Sequence, residues 1–409
     1  MRWEAYRVFG GELSIMKILF VNKAYFPHLG GVETVVRQLA EGMQKRGHDV
    51  AVLCFAERGD ARKTEIIGGV EIHRVRPMGH IGSAPFGYRF ITEFFRLLEW
   101  ADAVNFHSPN PMGEIALLLS SSFGRKKILC TYHGDAQRPR FLLPAYDAVL
   151  RRFFRRCDIV AVSNPPLSEN SRVLRSGFPK EKTRIITFGV RVRNYKNHTP
   201  SDLDEARRLL SSLPPSSFKV MFAGRMVYYK GIEILLEALR TLGAMGHLVS
   251  AYLIGSGPRE GDIKTLAAQK ALGSDVLLIL PHQPEGIYRA LFSLADCFVL
   301  PSTHETEAFG VVLAEAMASG LPLVSTELGT GTSWINRDGE TGIVIPSRDP
   351  DALARAVARI ADSAEERNRM AAASRARAEN FFDEETMLDA YDEIFRREQD
   401  SPPPCHIST

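Results

Sequence analysis

The feature that most constrains this chain is a rhythm in which short apolar runs alternate with segments of helical periodicity. Lys17–Val21 reads as a buried strand, and a loop follows it. Over Val32–Arg46 the apolar residues Val32, Val35, Val36, Leu39, Ala40 and Met43 then recur at i, i+3, i+4 spacing, which marks one face of a helix. Gly47 stops that helix and Val50–Phe55 begins the next strand. Strand–helix–strand units of this kind imply a parallel sheet covered on both faces. The rhythm continues through Ala103–His107, Ile128–His133 and Ile159–Ser163.

It then breaks. From about Tyr195 to Ser217, NHTPSDLD and SSLPPSS enclose a short helical patch, and this proline, serine and charge predict an interdomain linker. A second series opens with strand Lys219–Ala223 and helix Ile232–Leu242, followed by strands Ala251–Ile254, Val276–Leu280, Cys297–Leu300 and Leu323–Ser325. At 409 residues two domains are the default. The expected fold is α/β, with two Rossmann-like doubly wound domains at 16–195 and 218–383, a linker at 196–217 and a final amphipathic helix at 384–398. Residues 1–15 and 400–409 are expected to be disordered; MKILFVN from Met16 reads as the natural first strand.

Composition narrows the setting. A net charge of +3 is close to balanced and gives no global reason to expect nucleic acid as a partner. The five cysteines are scattered without a CxxC or Cys/His cluster, which argues against disulfides and structural zinc and for a reducing compartment. The first fifteen residues lack the apolar core of a signal peptide, and no apolar run is long enough to span a bilayer. A cytoplasmic protein is the expectation.

Several loops that follow strands carry chemistry. In PSTHETEAFGVVLAEAMASGLPLVST, Glu307 lies after a strand and Glu315 lies one or two turns into the following helix, beyond Phe309 and Gly310. Eight residues at the helical rise span roughly 12 Å, about the distance from sugar to ribose in a nucleotide-sugar. Carboxylates only accept hydrogen bonds, and vicinal hydroxyls donate them. A solvated glutamate plus a helix-surface one meets the same spacing. In GRMVYYKG, Arg225 sits in a loop and Lys230 opens the next helix, so two cations and a helix N-terminus meet as they would around a diphosphate. Gly30 and Gly31 precede the first helix, where backbone can approach a phosphate or simply turn. His133 ends a strand, with Asp135 just after it, and Gly255-Ser256-Gly257-Pro258 follows another.

Taken together, these stretches resemble the retaining glycosyltransferases of family 4, over about residues 16–398. Glu307–Glu315 is similar to the family's E-x7-E motif, Arg225 and Lys230 to its R-x4-K element, and Gly30-Gly31-Val32-Glu33 to its GGxE loop. The resemblance implies a GT-B fold, two domains facing each other across a cleft, with the final helix crossing back. It implies that Arg225 and Lys230 neutralise the leaving diphosphate, replacing a metal. Glu307 would hold sugar hydroxyls, Glu315 the ribose, His133 the donor sugar, and Gly255 and Gly257 the nucleotide side. No cofactor and no metal are expected; the DxD triplets Asp202–Asp204 and Asp349–Asp351 fall in the linker and at a helix start. The segment Gly329-Thr330-Gly331-Thr332-Ser333 resembles the GTGTS of bacterial exopolysaccharide and O-antigen transferases, which tilts the donor toward GDP-mannose and the acceptor toward a glycan or lipid-linked saccharide. The chain departs from the family at Phe188-Gly189-Val190-Arg191, where Asn-Gly-Val-Asp is common. Rival readings are a sugar-nucleotide epimerase, a phosphorylase, or an inactive nucleotide-sugar sensor.

Residues 125–196 carry 17 Lys/Arg against 5 Asp/Glu, a local net of +12 (17 − 5). Within them, helix 145–157 sets Tyr146, Val149, Leu150, Phe153, Phe154 and Cys157 beside Arg151, Arg152, Arg155 and Arg156. This suits either a core-facing helix with a solvated arginine face or peripheral contact with anionic lipid at the inner face of a membrane.

Overall fold

The computed structural model describes residues 15–28, 30–57, 64–82, 84–120, 124, 126–137, 140–176 and 178–396. The disorder expected at 1–15 and 400–409 therefore falls, apart from Ile15, outside the described residues. The chain divides into two compact units, one formed by residues up to Tyr132, 138–160 and from Leu388 onward, the other by 133–137 and 161–387.

The first unit begins with β1 (Lys17–Val21), α1 (Gly31–Lys45) and β2 (Asp49–Phe55), the elements the opening periodicity predicts. Then come β3 (Thr64–Ile67), β4 (Val70–Val75), the short hairpin β5 (Gly79–Ile81) and β6 (Ala84–Phe86), α2 (Tyr88–Trp100), β7 (Ala103–Ser108), α3 (Pro111–Leu119), β8 (Lys127–Tyr132), α4 (Leu143–Arg156) and β9 (Ile159–Val162). The main sheet has eight strands in the order β10-β9-β8-β7-β1-β2-β4-β3, where β10 is Thr183–Ile185. β1 pairs in parallel with both β2 and β7, and β3 is antiparallel to β4. Fully buried Ile18, Leu19, Phe20 and Val21 show why β1 is apolar without alternation: helices cover both faces.

The second unit carries α5 (Pro165–Asn170), α6 (Pro200–Leu209), β11 (Phe218–Ala223), α7 (Ile232–Ala244), β12 (Val249–Ile254), α8 (Glu260–Gln269), β13 (Leu277–Leu280), α9 (Glu285–Ser293), β14 (Cys297–Leu300), α10 (Val311–Ala318), β15 (Leu323–Glu327), α11 (Gly331–Ile335), β16 (Gly342–Pro346), α12 (Pro350–Asp362) and α13 (Ala364–Phe381). Its six strands run parallel in the order β13-β12-β11-β14-β15-β16. From β11 the chain winds outward one way to β13, and from β14 the other way to β16. The point of reversal, between β11 and β14, is where an open α/β sheet leaves a crevice at its carboxyl edge.

The units part at residue 160 rather than at the 195/196 boundary expected from the sequence. The physical reason lies in 161–195: Asn164 Nδ2 donates to the Ala308 carbonyl at 3.3 Å, and Val190 bridges Asp383, with Val190 N donating to Phe382 O at 2.7 Å. The expected linker also contains α6, capped by Thr199, whose hydroxyl accepts from Asp202 N at 3.1 Å, and anchored through buried Ala206, Leu210 and Leu213. The last helix, α14 (Glu384–Arg396), has its residues from Leu388 in the first unit. There Thr131 Oγ1 and Tyr391 Oη lie 2.7 Å apart, and Lys127 Nζ donates to Ile394 O at 2.7 Å.

Candidate active site

The loops that meet at the reversal point of the second sheet carry Arg225 and Lys230 after β11, and Glu307 after β14. Lys230 Nζ lies 2.6 Å from Glu307 Oε2, and both side chains are nearly buried, each residue 8% exposed. Ser302 Oγ donates to the same oxygen at 3.0 Å. One oxygen of Glu307 therefore takes both contacts, and Oε1 has no hydrogen bond among the described residues. The Arg225 side chain, by contrast, is exposed and makes no hydrogen bond or ion pair among the described residues. Tyr229 lies beside them, its phenol pushed up to about 12 by burial and then by the charge of Glu307, with Arg225 opposing.

Glycines bring these loops together. Gly231 adopts φ +64°, and a Cβ there would collide with the Pro301 carbonyl, so the turn after Lys230 closes directly onto the end of β14. Gly255, at φ +141°, lies against the Gly224 carbonyl in the same way, and Gly257 against the Met226 backbone. The predicted nucleotide-side turn is thus also the packing partner of the Arg225 loop.

Two supports of Glu307 escaped the sequence. Thr330 Oγ1 donates to the Glu307 carbonyl at 2.8 Å, and Gly331 N donates to the Ala308 carbonyl at 2.9 Å. The GTGTS segment thereby clamps the backbone on which Glu307 stands. Phe309 belongs to an aromatic run: His133 stacks on Phe188 at 5.0 Å between centroids, and Phe188 meets Phe309 edge-on at 5.1 Å. This brings His133 into the surroundings of the Glu307 loop. Asp135, instead of reaching outward, accepts from Ser171 Oγ at 2.9 Å and Arg172 N at 2.7 Å.

Gly310 caps α10, and Glu315 lies within that helix, half-buried. Tyr288 Oη donates to Glu315 Oε2 at 2.9 Å, and the Tyr195 phenol stands beside this carboxylate. Burial raises the Glu315 carboxyl above the ordinary range, and the two tyrosines oppose that shift. The departure at 188–191 has its own account. Arg191 pairs with Glu384 at 2.7 Å, and a Cβ at Gly189 would meet the Glu384 Cα at 2.5 Å, so this stretch is stitched to the start of α14. Asp349, from the second DxD triplet, caps α12 by accepting from Ala352 N at 2.8 Å.

In the first unit, Gly30 caps α1 with extended backbone, and its carbonyl accepts from Thr34 N at 2.9 Å; Gly31 borders open space. The carboxyl ends of β1 and β7 hold a polar cluster that sequence patterning did not reveal. Fully buried Glu114 accepts from Ser108 Oγ at 2.6 Å, Asn110 N at 2.8 Å and Tyr146 Oη at 2.6 Å. Burial raises its carboxyl and lowers the nearby Lys23 ammonium.

Two doubly wound sheets, the second with cations and a carboxylate at its reversal point, define the GT-B class of glycosyltransferase. Comparison with known proteins agrees. Residues 29–193 match the model described as Glycosyltransferase Family 4, and residues 210–377 that described as Glycosyl transferases group 1. The chain is 34% identical to the D-rhamnosyltransferase WbpZ of Pseudomonas aeruginosa, across 84% of this chain and 86% of that protein. It is 31% identical to the O-antigen chain mannosyltransferase C of Escherichia coli, across 93% and 98%. Among solved structures, sucrose-phosphate synthase from Thermosynechococcus elongatus matches with a TM-score of 0.76 at 21% identity, covering 93% of this chain and 98% of that one. This chain belongs to glycosyltransferase family 4, and it is an enzyme of the hexosyltransferase kind.

Proposed function

We propose that this enzyme transfers a hexose from a nucleoside-diphosphate sugar, with GDP-mannose the favoured donor, to a glycan or lipid-linked saccharide in cell-surface polysaccharide synthesis. The observation that carries this reading is the Arg225–Lys230–Glu307 constellation at the reversal point of the second sheet. The names of the two relatives, one an O-antigen chain mannosyltransferase, support the polysaccharide setting and the tilt toward mannose.

In the reading proposed, the diphosphate takes Arg225 and draws Lys230 toward it, and the positive charge meets the negative charge that develops as the sugar–phosphate bond breaks. Two fixed cations do here what a metal does elsewhere, so transfer proceeds without one. The acceptor oxygen bonds to the anomeric carbon on the face the phosphate leaves, and its proton passes to the departing phosphate oxygen. The new linkage keeps the donor's configuration. Glu307 Oε1 holds sugar hydroxyls, Glu315 holds the ribose, and His133 and the Gly30-Gly31 loop border the donor.

We also propose that the enzyme is cytoplasmic and meets anionic lipid through the first unit. No described helix is long and apolar enough to cross a membrane. Arg152 and Arg155 of α4 are exposed, as is Phe141 just before it at 81%. Leu119 and Ile115 are exposed on α3, which packs against α4. Arginines beside apolar tips suit a headgroup region. Liposome co-sedimentation unaffected by Arg151/Arg152/Arg155/Arg156→Glu would refute this contact.

The main test is Arg225→Ala. The side chain is exposed, so the fold should survive, while release of nucleoside diphosphate with formation of a new glycoside should be lost. Near-normal turnover would remove Arg225 from the reaction. Absence of a new glycoside even with the unsubstituted enzyme would point to the epimerase, phosphorylase or sensor alternatives.

A further inference from the structure

We infer that Tyr195 and Tyr288 are positioning residues that aim the Glu315 carboxylate at the ribose of the donor nucleotide. The inference rests on the reading of Glu315 as the ribose acceptor. Two phenols flank this one carboxylate from different elements: Tyr288 on α9 donates to Oε2 at 2.9 Å, and Tyr195, from the short helical turn Val192–Tyr195, stands beside it. Neither phenol is free to rotate away. Both rings pack edge-on against Phe292, Tyr288 at 5.2 Å and 82° and Tyr195 at 5.6 Å and 89°, and Phe292 itself is fully buried.

A carboxylate offers about four lone-pair directions. Tyr288 takes one and the Tyr195 phenol stands beside the same carboxylate, and vicinal ribose hydroxyls require two. The tyrosines therefore convert a side chain that could swing about its last two torsions into a fixed pair of acceptors. The phenols serve as donors only, because burial and the adjacent Glu315 charge push their ionisation well above the ordinary range. The same contacts hold the half-buried carboxyl toward its ionised, accepting form. Tyr195 also gives the segment that departs from the family pattern a role: the stitching of residues 188–191 to α14 sets the turn from which Tyr195 projects.

The test is calorimetric binding of nucleotides to the full chain, first screening GDP, UDP, ADP and dTDP, then comparing the tightest with its form lacking the ribose hydroxyls. Tyr195→Phe and Tyr288→Phe each keep the ring and its packing. Each should weaken the hydroxylated nucleotide about tenfold, as loss of a hydrogen bond to a charged group does. Neither should change affinity for the form without hydroxyls. Equal weakening of both nucleotides would mean a merely structural role and overturn the inference. So would unchanged affinity in both variants while Glu315→Gln loses the preference for the hydroxylated form. If Glu315→Gln itself keeps that preference, or no nucleotide binds, the underlying ribose reading fails instead, and the inference with it.

Discussion

The two sheets end in carboxylates of opposite character. In the first unit, Glu114 sits where β1 and β7 diverge and is bonded through both oxygens: three donors reach it, and it is wholly buried. In the second, Glu307 occupies the corresponding point between β11 and β14 and is half-used, with Lys230 and Ser302 both on Oε2. Equivalent places in equivalent sheets thus hold a carboxylate bonded through both oxygens and one bonded through a single oxygen among the described residues. What separates them is the number of donors the protein itself supplies. A carboxylate that the fold satisfies fixes a loop, and one that the fold leaves partly unsatisfied can receive a ligand.

Removing the cation should widen this contrast most. Lys230→Ala is expected to cut transfer by on the order of a thousandfold, as loss of a preorganised charge does, with steady-state turnover as the readout. Loss of fold rather than of rate would make the role of Lys230 structural. Glu114→Ala should do the reverse, stranding the Ser108 and Tyr146 hydroxyls and the Asn110 amide. A loss of about 3 kcal/mol in urea unfolding is expected, with nucleotide affinity in the folded protein unchanged. Thr330→Val tests the clamp behind Glu307: kcat should fall about fivefold through loosened placement of that loop, with little change in melting temperature.

The smallest effect is one of pH. Burial raises the Glu315 carboxyl, and its ionised form is the stronger acceptor, so under the proposed ribose role nucleotide affinity should fall as pH drops through that raised value. Tyr288→Phe removes a group that holds the carboxyl down, so the fall should begin at higher pH. A limb that stays in place would show that Tyr288 does not govern this carboxylate.

Much of the fold was legible because it is written locally. Lys17–Val21 is apolar throughout since both faces are covered, and the observed β1 has those same bounds. The candidate motifs stand out in the sequence because Arg225 and Lys230, like Glu307 and Glu315, lie close together in the chain. What stayed hidden depends on distant partners. Tyr195 and Tyr288 read as ordinary aromatics until the fold brings them to Glu315, and Glu114 reads as a helix-surface glutamate until Ser108 and Tyr146 enclose it. The boundary near residue 160 was hidden for the same reason, since contacts such as Asn164 with Ala308 join residues far apart in sequence. Helix α6 was taken for linker because its few apolar positions are diluted by Pro, Ser and charge.

The seating of α14 has a consequence in time. His48 Nε2 meets Asp392 at 2.7 Å, Arg46 meets Asp389 at 2.7 Å, and Gly42 is small because Leu388 packs directly on it. A ribosome makes β1, α1 and β2 early and the residues that complete their packing only after the second unit. Domains usually finish as they emerge; this one has an open seam on α1 until the second unit has been translated, so the first unit to be started is not the first to be completed.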